Sequence, residues 1–135
     1  MAAPTRINHL GIAVRTMAEG LAIWQQALGL TLEQVVEMPE RGLRIAFLRC
    51  GETSVELLEP LHENSEISKF ISDRGPGIHH VCLETTDLAA SSEHAAQHGA
   101  ILLGQGPKLG AEGLPTRFAH PKTTGGVLVE LLEKA

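Results

Sequence analysis

Two histidines and two glutamates recur at matching positions in the two halves of the chain. His9 opens an alternating apolar segment, and His80 opens its counterpart about seventy residues later. Glu56 stands within Ser-Val-Glu-Leu-Leu-Glu, and Glu130 stands within Leu-Val-Glu-Leu-Leu-Glu. Imidazole and carboxylate groups are common ligands of divalent transition metals. Because each half supplies one of each, the repeat predicts four ligands for a single divalent metal ion.

Strand periodicity indicates where these four side chains point. Side chains alternate between the two faces of a strand, so when Leu10 and Ile12 pack under a helix, His9 faces the other side. Each of the other three residues likewise lies on the strand face opposite its own apolar neighbours. Any one of them alone is more often a satisfied core histidine or a solvated glutamate. Their pairing across the repeat favours a metal site, because a buried carboxylate needs charge compensation.

The elements that must position these residues follow one order twice. In the first half we expect a helix that begins after Thr16, ends at Gly29 and places Met17, Leu21, Trp24 and Leu28 on one face, with strands at residues 6–14, 32–38, 43–49 and 53–58. In the second half we expect a helix at residues 87–98, a loop at residues 108–113, and strands at residues 78–84, 101–103, 115–120 and 127–132. A helix at residues 66–72, capped by Ser65, is expected to connect the halves.

This order predicts an α+β fold of two tandem βαβββ modules that form a metal-binding cup. We expect one domain over residues 1–135, with module one at about residues 6–60, a linker helix at about 61–76 and module two at about 77–135.

The composition excludes several classes of partner. The chain has 135 residues, 43% hydrophobic, and a formal net charge of −5 without any basic run. This balance argues against binding to nucleic acid or to an anionic membrane. The first residues lack the charged start and apolar core of a signal peptide, so residence in the cytoplasm is expected.

The two cysteines and the other histidines are predicted to be structural, solvated or rim residues. Cys50 and Cys82 have no metal-ligand spacing, and we interpret both as reduced, buried thiols. His79 has the opposite parity to His80 and is predicted to be a structural or rim residue. His94 and His98 are four residues apart on a helix but are expected to be solvated, and His120 is expected near the rim of the cup.

The motifs resemble those of the vicinal-oxygen-chelate, or glyoxalase-like, superfamily, and within it the methylmalonyl-CoA epimerase family. The resemblance runs from Ile7 to Glu133, and its most specific part is Phe-Ala-His-Pro-Lys followed by Gly-Val-Leu-Val-Glu-Leu. It implies the fold of paired βαβββ modules. It also implies an isomerase that epimerises methylmalonyl-CoA through a metal-stabilised enolate, with an acyl-CoA substrate and a homodimeric state.

The resemblance also assigns roles to residues. The implied metal ligands are His9, Glu56, His80 and Glu130, holding one cobalt, zinc, nickel or manganese ion per site. We take Glu130 and Glu56 as the two catalytic bases as well. Some epimerases instead carry glutamine at the Glu56 position and a catalytic glutamate where this chain has Ile45.

Three other functions remain open from the sequence. Glyoxalase I (lactoylglutathione lyase) uses the same kind of metal site and a glutamate base. A ring-cleaving dioxygenase would use two histidines and one carboxylate around iron, so Glu56 as a fourth ligand argues against it. A metal-free small-molecule-binding resistance protein of the same fold would need none of the four residues.

Overall fold

The computed structural model of the chain describes residues 2–135. Its internal contacts divide it into two compact units. The N-terminal unit is His9–His79, and the C-terminal unit combines the chain up to Asn8 with His80–Ala135. The helices are α1 (Met17–Leu21), a π-helical segment (Ala22–Ala27), α2 (Glu66–Arg74) and α3 (Leu88–Gln97), with 3-10 turns at Pro39–Arg41 and Pro121–Thr123. The strands are β1 (Arg6–Ala13), β2 (Thr31–Met38), β3 (Leu43–Cys50), β4 (Thr53–Pro60), β5 (Gly77–Thr85), β6 (Lys108–Leu109), β7 (Pro115–Ala119) and β8 (Val129–Glu133).

Each unit contains the same strand arrangement. In the N-terminal unit the strand order is β2-β3-β4-β1, and β1 pairs parallel with β4 while the other pairs are antiparallel. In the C-terminal unit the order is β6-β7-β8-β5, and β5 again pairs parallel with β8. A parallel pair needs a long connection, which the helix and the two intervening strands provide. The predicted α+β class and the repeated βαβββ order are confirmed.

The apolar core of the N-terminal unit lies between α1 and one face of its sheet. Its buried members are Ile12, Val14, Ala46, Leu48, Val55 and Leu57, and Leu10, Met17, Leu21, Trp24, Leu30 and Leu32 pack against them. The predicted parity of β1 and β4 is therefore confirmed. Since the even-numbered residues of β1 face the helix, His9 belongs to the opposite face.

The first helix differs from the prediction after its opening turn. Thr16 caps it as expected, with its Oγ1 accepting a hydrogen bond from the Glu19 N–H at 3.1 Å. The chain then forms a π-helical segment, in which the Leu28 N–H donates to the Ile23 carbonyl five residues earlier. The wider turn rotates later side chains away from the α-helical position. Leu28 is consequently 61% exposed, and its predicted place on the buried face was wrong.

The second strand of the second module is also displaced from its predicted position. Residues 101–103 form no strand, and only Leu102 makes an isolated bridge, to Ala119. Gly104 follows with φ +75°, and Pro107 has no N–H to donate to a ladder. Pairing resumes at Lys108–Leu109, within the segment that was expected to be a loop. The pairing with β7 is therefore interrupted between the Leu102 bridge and Lys108.

The predicted cap of the connecting helix is confirmed. Ser65 caps α2, because its Oγ accepts a hydrogen bond from the Ser68 N–H at 3.1 Å. Among the described residues, none of the helices has the length and apolarity needed to cross a membrane.

Gly20 is the point where α1 comes closest to its sheet. A Cβ at this position would lie 2.9 Å from Leu57 Cδ1 and 3.0 Å from Val14 Cγ1, both in the core. We expect Gly20→Ala to lower the free energy of unfolding by about 1–3 kcal/mol, because overpacking outweighs the better helix propensity of alanine. Urea unfolding measures this, with Ala18→Gly on the exposed side of α1 as the propensity control. A Gly20→Ala protein as stable as the wild type would contradict this account of the contact.

Candidate active site

The N-terminal unit brings one predicted histidine and one predicted glutamate together. His9 on β1 and Glu56 on β4 lie on neighbouring parallel strands, and His9 Nδ1 is 3.0 Å from Glu56 Oε2. Their side chains are only 6% and 5% exposed. In the strand register Gly11 lies directly opposite Glu56, which places the smallest residue beside the carboxylate.

The C-terminal unit repeats this pair. His80 on β5 and Glu130 on β8 lie on neighbouring parallel strands, with His80 Nε2 3.3 Å from Glu130 Oε1 and both side chains 6% exposed. Here Cys82 takes the register position opposite the glutamate, and its Sγ lies within 4.8 Å of a Glu130 carboxylate oxygen. Cys82 is fully buried, as predicted. Cys50, the last residue of β3, is exposed, so its predicted burial was wrong.

Two phenylalanines complete the repeated pattern. Phe47 lies opposite Glu56 in the β3–β4 register, and Phe118 lies opposite Glu130 in the β7–β8 register. The ring of Phe118 meets the His80 ring edge-on, with centroids 5.6 Å apart. Each glutamate therefore has an aromatic residue opposite it on the neighbouring antiparallel strand. Sequence reasoning missed this pair, although the separation that relates His9 to His80 also relates the two phenylalanines.

The charges of the two histidine–glutamate pairs determine which ligand they can bind. Buried carboxylates are costly unless they are paired or neutralised. One imidazole beside each glutamate supplies a full positive charge only when it is protonated. Two imidazole nitrogens and two carboxylate oxygens are a donor set suited to zinc, cobalt, nickel or manganese. The donor chemistry of the two pairs is therefore compatible with a divalent cation.

The second glutamate of each repeated Val-Glu-Leu-Leu-Glu segment binds the start of a helix. Glu59 Oε2 accepts a hydrogen bond from the Met17 N–H at 2.8 Å, and Glu133 Oε1 accepts one from the Leu88 N–H at 2.9 Å. Each thus binds the first N–H of its own module's helix, where a negative charge is favourable. Hydrogen bonds from Arg44 to Glu37 and to Glu59 raise the pKa of the Arg44 guanidinium, which keeps this network charged.

The hairpin between β6 and β7 lies beside Glu130. A Cβ at Gly110 would be 3.1 Å from Thr116 Cγ2 and 3.9 Å from Glu130 Oε2. The turn is closed by hydrogen bonds from Gly110 N–H to the Leu114 carbonyl and from Gly113 N–H to the Gly110 carbonyl, both 2.9 Å. The absence of a side chain at Gly110 therefore leaves room next to this carboxylate.

Ile45, at which the resemblance described above implies a glutamate in some relatives, is buried and only 2% exposed. In the β3–β4 register it lies opposite Leu58, two residues beyond Glu56 along β4. Its partners on the neighbouring strands are the apolar residues Val36 and Leu58.

The other histidines have structural contacts. The His79 ring packs edge-on against Phe70, with centroids 5.0 Å apart, which agrees with its predicted structural role. His120 Nδ1 accepts a hydrogen bond from the Lys122 N–H at 3.1 Å and so caps the turn that follows it. His94 and His98 are exposed, with ring centroids 4.5 Å apart on α3.

Comparison with known proteins gives a consistent family. The model of the Glyoxalase/Bleomycin resistance protein/Dioxygenase superfamily matches residues 8–119. The ethylmalonyl-CoA/methylmalonyl-CoA epimerase of Cereibacter sphaeroides is 40% identical over 129 residues, which cover 93% of this chain and 96% of the relative.

Solved structures agree in fold over nearly the whole chain. The methylmalonyl-CoA epimerase of Mycobacterium tuberculosis superimposes with a TM-score of 0.90 at 33% identity, covering 98% of this chain and 89% of that one. A methylmalonyl-CoA epimerase in complex with methylmalonyl-CoA and NH4+ gives a TM-score of 0.91 at 31% identity, covering 98% and 96%.

Proposed function

Since the chain belongs to the Glyoxalase/Bleomycin resistance protein/Dioxygenase superfamily, and within it to the methylmalonyl-CoA epimerases, we propose that it interconverts (R)- and (S)-methylmalonyl-CoA. It is an isomerase that removes the α-proton of a malonyl-type thioester and returns a proton to the opposite face. The observation that carries this proposal is the match to a curated epimerase at 40% identity over 96% of that relative's length.

The proposed site consists of the two buried histidine–glutamate pairs. His9, Glu56, His80 and Glu130 would together hold one divalent metal ion. Proteins of this superfamily often bind such an ion. Supporting this assignment, each pair is almost completely buried and combines one imidazole with one carboxylate. The ion, when bound, supplies positive charge that stabilises the enolate oxygen as a Lewis acid.

Glu56 and Glu130 serve as the two bases in this proposal. One carboxylate takes the α-proton as the C–H bond breaks, and the electron pair passes into the thioester enolate. The other, in its protonated form, delivers a proton to the opposite face of the α-carbon. Since the two residues come from equivalent strands of the two modules, they are suited to opposite faces. Positioned bases of this kind contribute about 10²–10⁴-fold each.

Proton exchange in D2O tests the function directly. The protein is loaded with cobalt or zinc and incubated with methylmalonyl-CoA, and proton NMR follows the α-proton signal. We expect metal-dependent loss of this signal, abolished by Glu130→Ala because that change removes a proposed metal ligand together with a base. No exchange with any divalent metal would refute the epimerase assignment, and the methylglyoxal–glutathione hemithioacetal would then test the lyase function of glyoxalase I.

Two further properties belong to the same proposal. We expect a homodimer with a symmetric interface, which light scattering of the purified protein measures. We also expect the protein to act in the cytoplasm as one glyoxalase-like domain.

A further inference from the structure

The C-terminal unit has a cavity beneath α3 that the proposed reaction does not use. It has a volume of about 410 Å³ and is lined by Leu88, Ala89, Ser92, Glu93, Ala96, Leu102, Pro107 and Arg117. In the β7–β8 register Arg117 lies opposite Leu131, whereas its neighbour Phe118 lies opposite Glu130. The alternation of β7 therefore directs Arg117 to the face of the sheet opposite Glu130. This cavity is separate from the proposed catalytic face.

The internal repeat explains how the cavity arises. Met17 and Leu88 are equivalent, because each donates its N–H to the corresponding glutamate at the end of its module. Four residues further along, α1 has Leu21, which packs against the core, and α3 has Ser92. The second module thus has a small polar residue where the first has a core leucine. On the same cavity, Leu102 makes only an isolated bridge, to Ala119, and no strand follows until Lys108.

Two polar groups in the cavity lack partners. Within the described part of the chain, Ser92 Oγ and Arg117 Nε are buried without a hydrogen-bond partner. Ser92 is only 8% exposed. The Arg117 guanidinium makes long contacts through Nη2 to the carbonyls of Leu103 and Gly104, at 3.5 and 3.4 Å. Buried polar groups in native proteins are generally paired, so these two indicate an acceptor supplied from outside the chain.

We propose that this cavity binds a small monocarboxylate with a short alkyl chain. A carboxylate accepts two N–H bonds from a guanidinium and can also accept one from the serine hydroxyl. The five apolar lining residues suit the alkyl chain, of about four to six carbons in a pocket of this size. The Glu93 carboxylate on the same wall disfavours a second negative charge, which excludes di- and polyanions.

Titration with hexanoate tests the proposal, with the Arg117 Nε–H resonance in a ¹⁵N–¹H NMR spectrum as the local readout. We expect a saturable shift of this resonance in the wild type and no shift in Ser92→Leu, which restores the leucine of the first module. Isothermal titration calorimetry, which does not need the Arg117 resonance, should give at least about tenfold weaker binding in Arg117→Gln. Ser92→Ala, which removes only the hydroxyl, is the second variant, and we expect weaker binding there even if Ser92→Leu fails to fold.

Hexan-1-ol and hexylammonium are the matched controls for charge. Equal binding of hexan-1-ol would overturn the carboxylate assignment and leave only an apolar groove. No saturable shift of the Arg117 resonance with hexanoate would overturn the site altogether, and so would unchanged binding in Ser92→Ala. Because the readout is the Arg117 side chain, hexanoate bound at the histidine–glutamate pairs would not be mistaken for this site.

Discussion

Glu56→Gln is expected to lower the rate of epimerisation by about 10²–10⁴-fold while metal affinity stays within about tenfold of the wild type. The amide keeps the size of the side chain and an oxygen donor, but it cannot accept the α-proton. Glu130→Gln is expected to behave in the same way from the other module. Turnover is measured with each epimer of methylmalonyl-CoA, and metal affinity by isothermal titration with cobalt or zinc.

Exchange without inversion makes this prediction specific. When one base is lost, the remaining base can remove the α-proton from only one epimer and return deuterium to the same face. In D2O, Glu56→Gln should therefore exchange one epimer and Glu130→Gln the other, and neither should interconvert them efficiently. The wild type should exchange and invert both.

Matched control variants lie three residues further along each strand. Glu59→Gln and Glu133→Gln make the same change on carboxylates that bind helix N–H groups. Each is expected to lower the free energy of unfolding by about 0.5–2 kcal/mol, as the loss of a helix cap does. Both variants should still exchange and invert both epimers, as the wild type does. Near-normal epimerisation by Glu56→Gln would overturn the two-base mechanism and point to water, or to Glu112 in the turn between β6 and β7, as the second base.

The repeat and the strand parity were readable from the sequence because they depend on local periodicity. Alternation along β1 and β4 placed His9 and Glu56 opposite the helix, and their 3.0 Å contact within the N-terminal unit agrees with this. The same reasoning in the second half anticipated the His80–Glu130 contact. Side chains on adjacent strands are brought together by a topology that short apolar runs and turn signals already specify.

Features that depend on hydrogen-bond register were not predicted. The π-helical segment after Leu21 has the composition of an ordinary amphipathic helix, and only its i to i−5 hydrogen bonds reveal it. Pairing of β6 begins at Lys108 because Gly104 and Pro107 interrupt the ladder, while the apolar run at residues 101–103 suggested an earlier strand. The positions of Phe47 and Phe118 beside the glutamates likewise follow from register between strands.

His80→Ala is expected to lower the affinity for divalent metal by at least about 100-fold, because it removes one of four proposed ligands. The neighbouring His79→Ala is the matched control, since the His79 ring packs on Phe70. Affinity is measured by titration with cobalt, followed by absorption, and compared with the shift in unfolding temperature that metal produces. Metal at about 100 times its Kd should stabilise the wild type by about 2.7 kcal/mol. The His80→Ala protein should gain almost nothing at the same concentration.

The same experiment distinguishes the proposed site from metal bound elsewhere. His94 and His98 form an exposed pair on α3 that can bind metal weakly, so His94→Ala is included and should leave the tight site unchanged. Equal losses in His79→Ala and His80→Ala would refute the ligand assignment. Absence of tight binding in the wild type would refute the metal site itself. The buried Glu56 and Glu130 would then be stabilised by their other polar contacts, which include the His9 and His80 imidazoles. The loss of stability that His80→Ala causes in the absence of metal measures how much one such contact contributes.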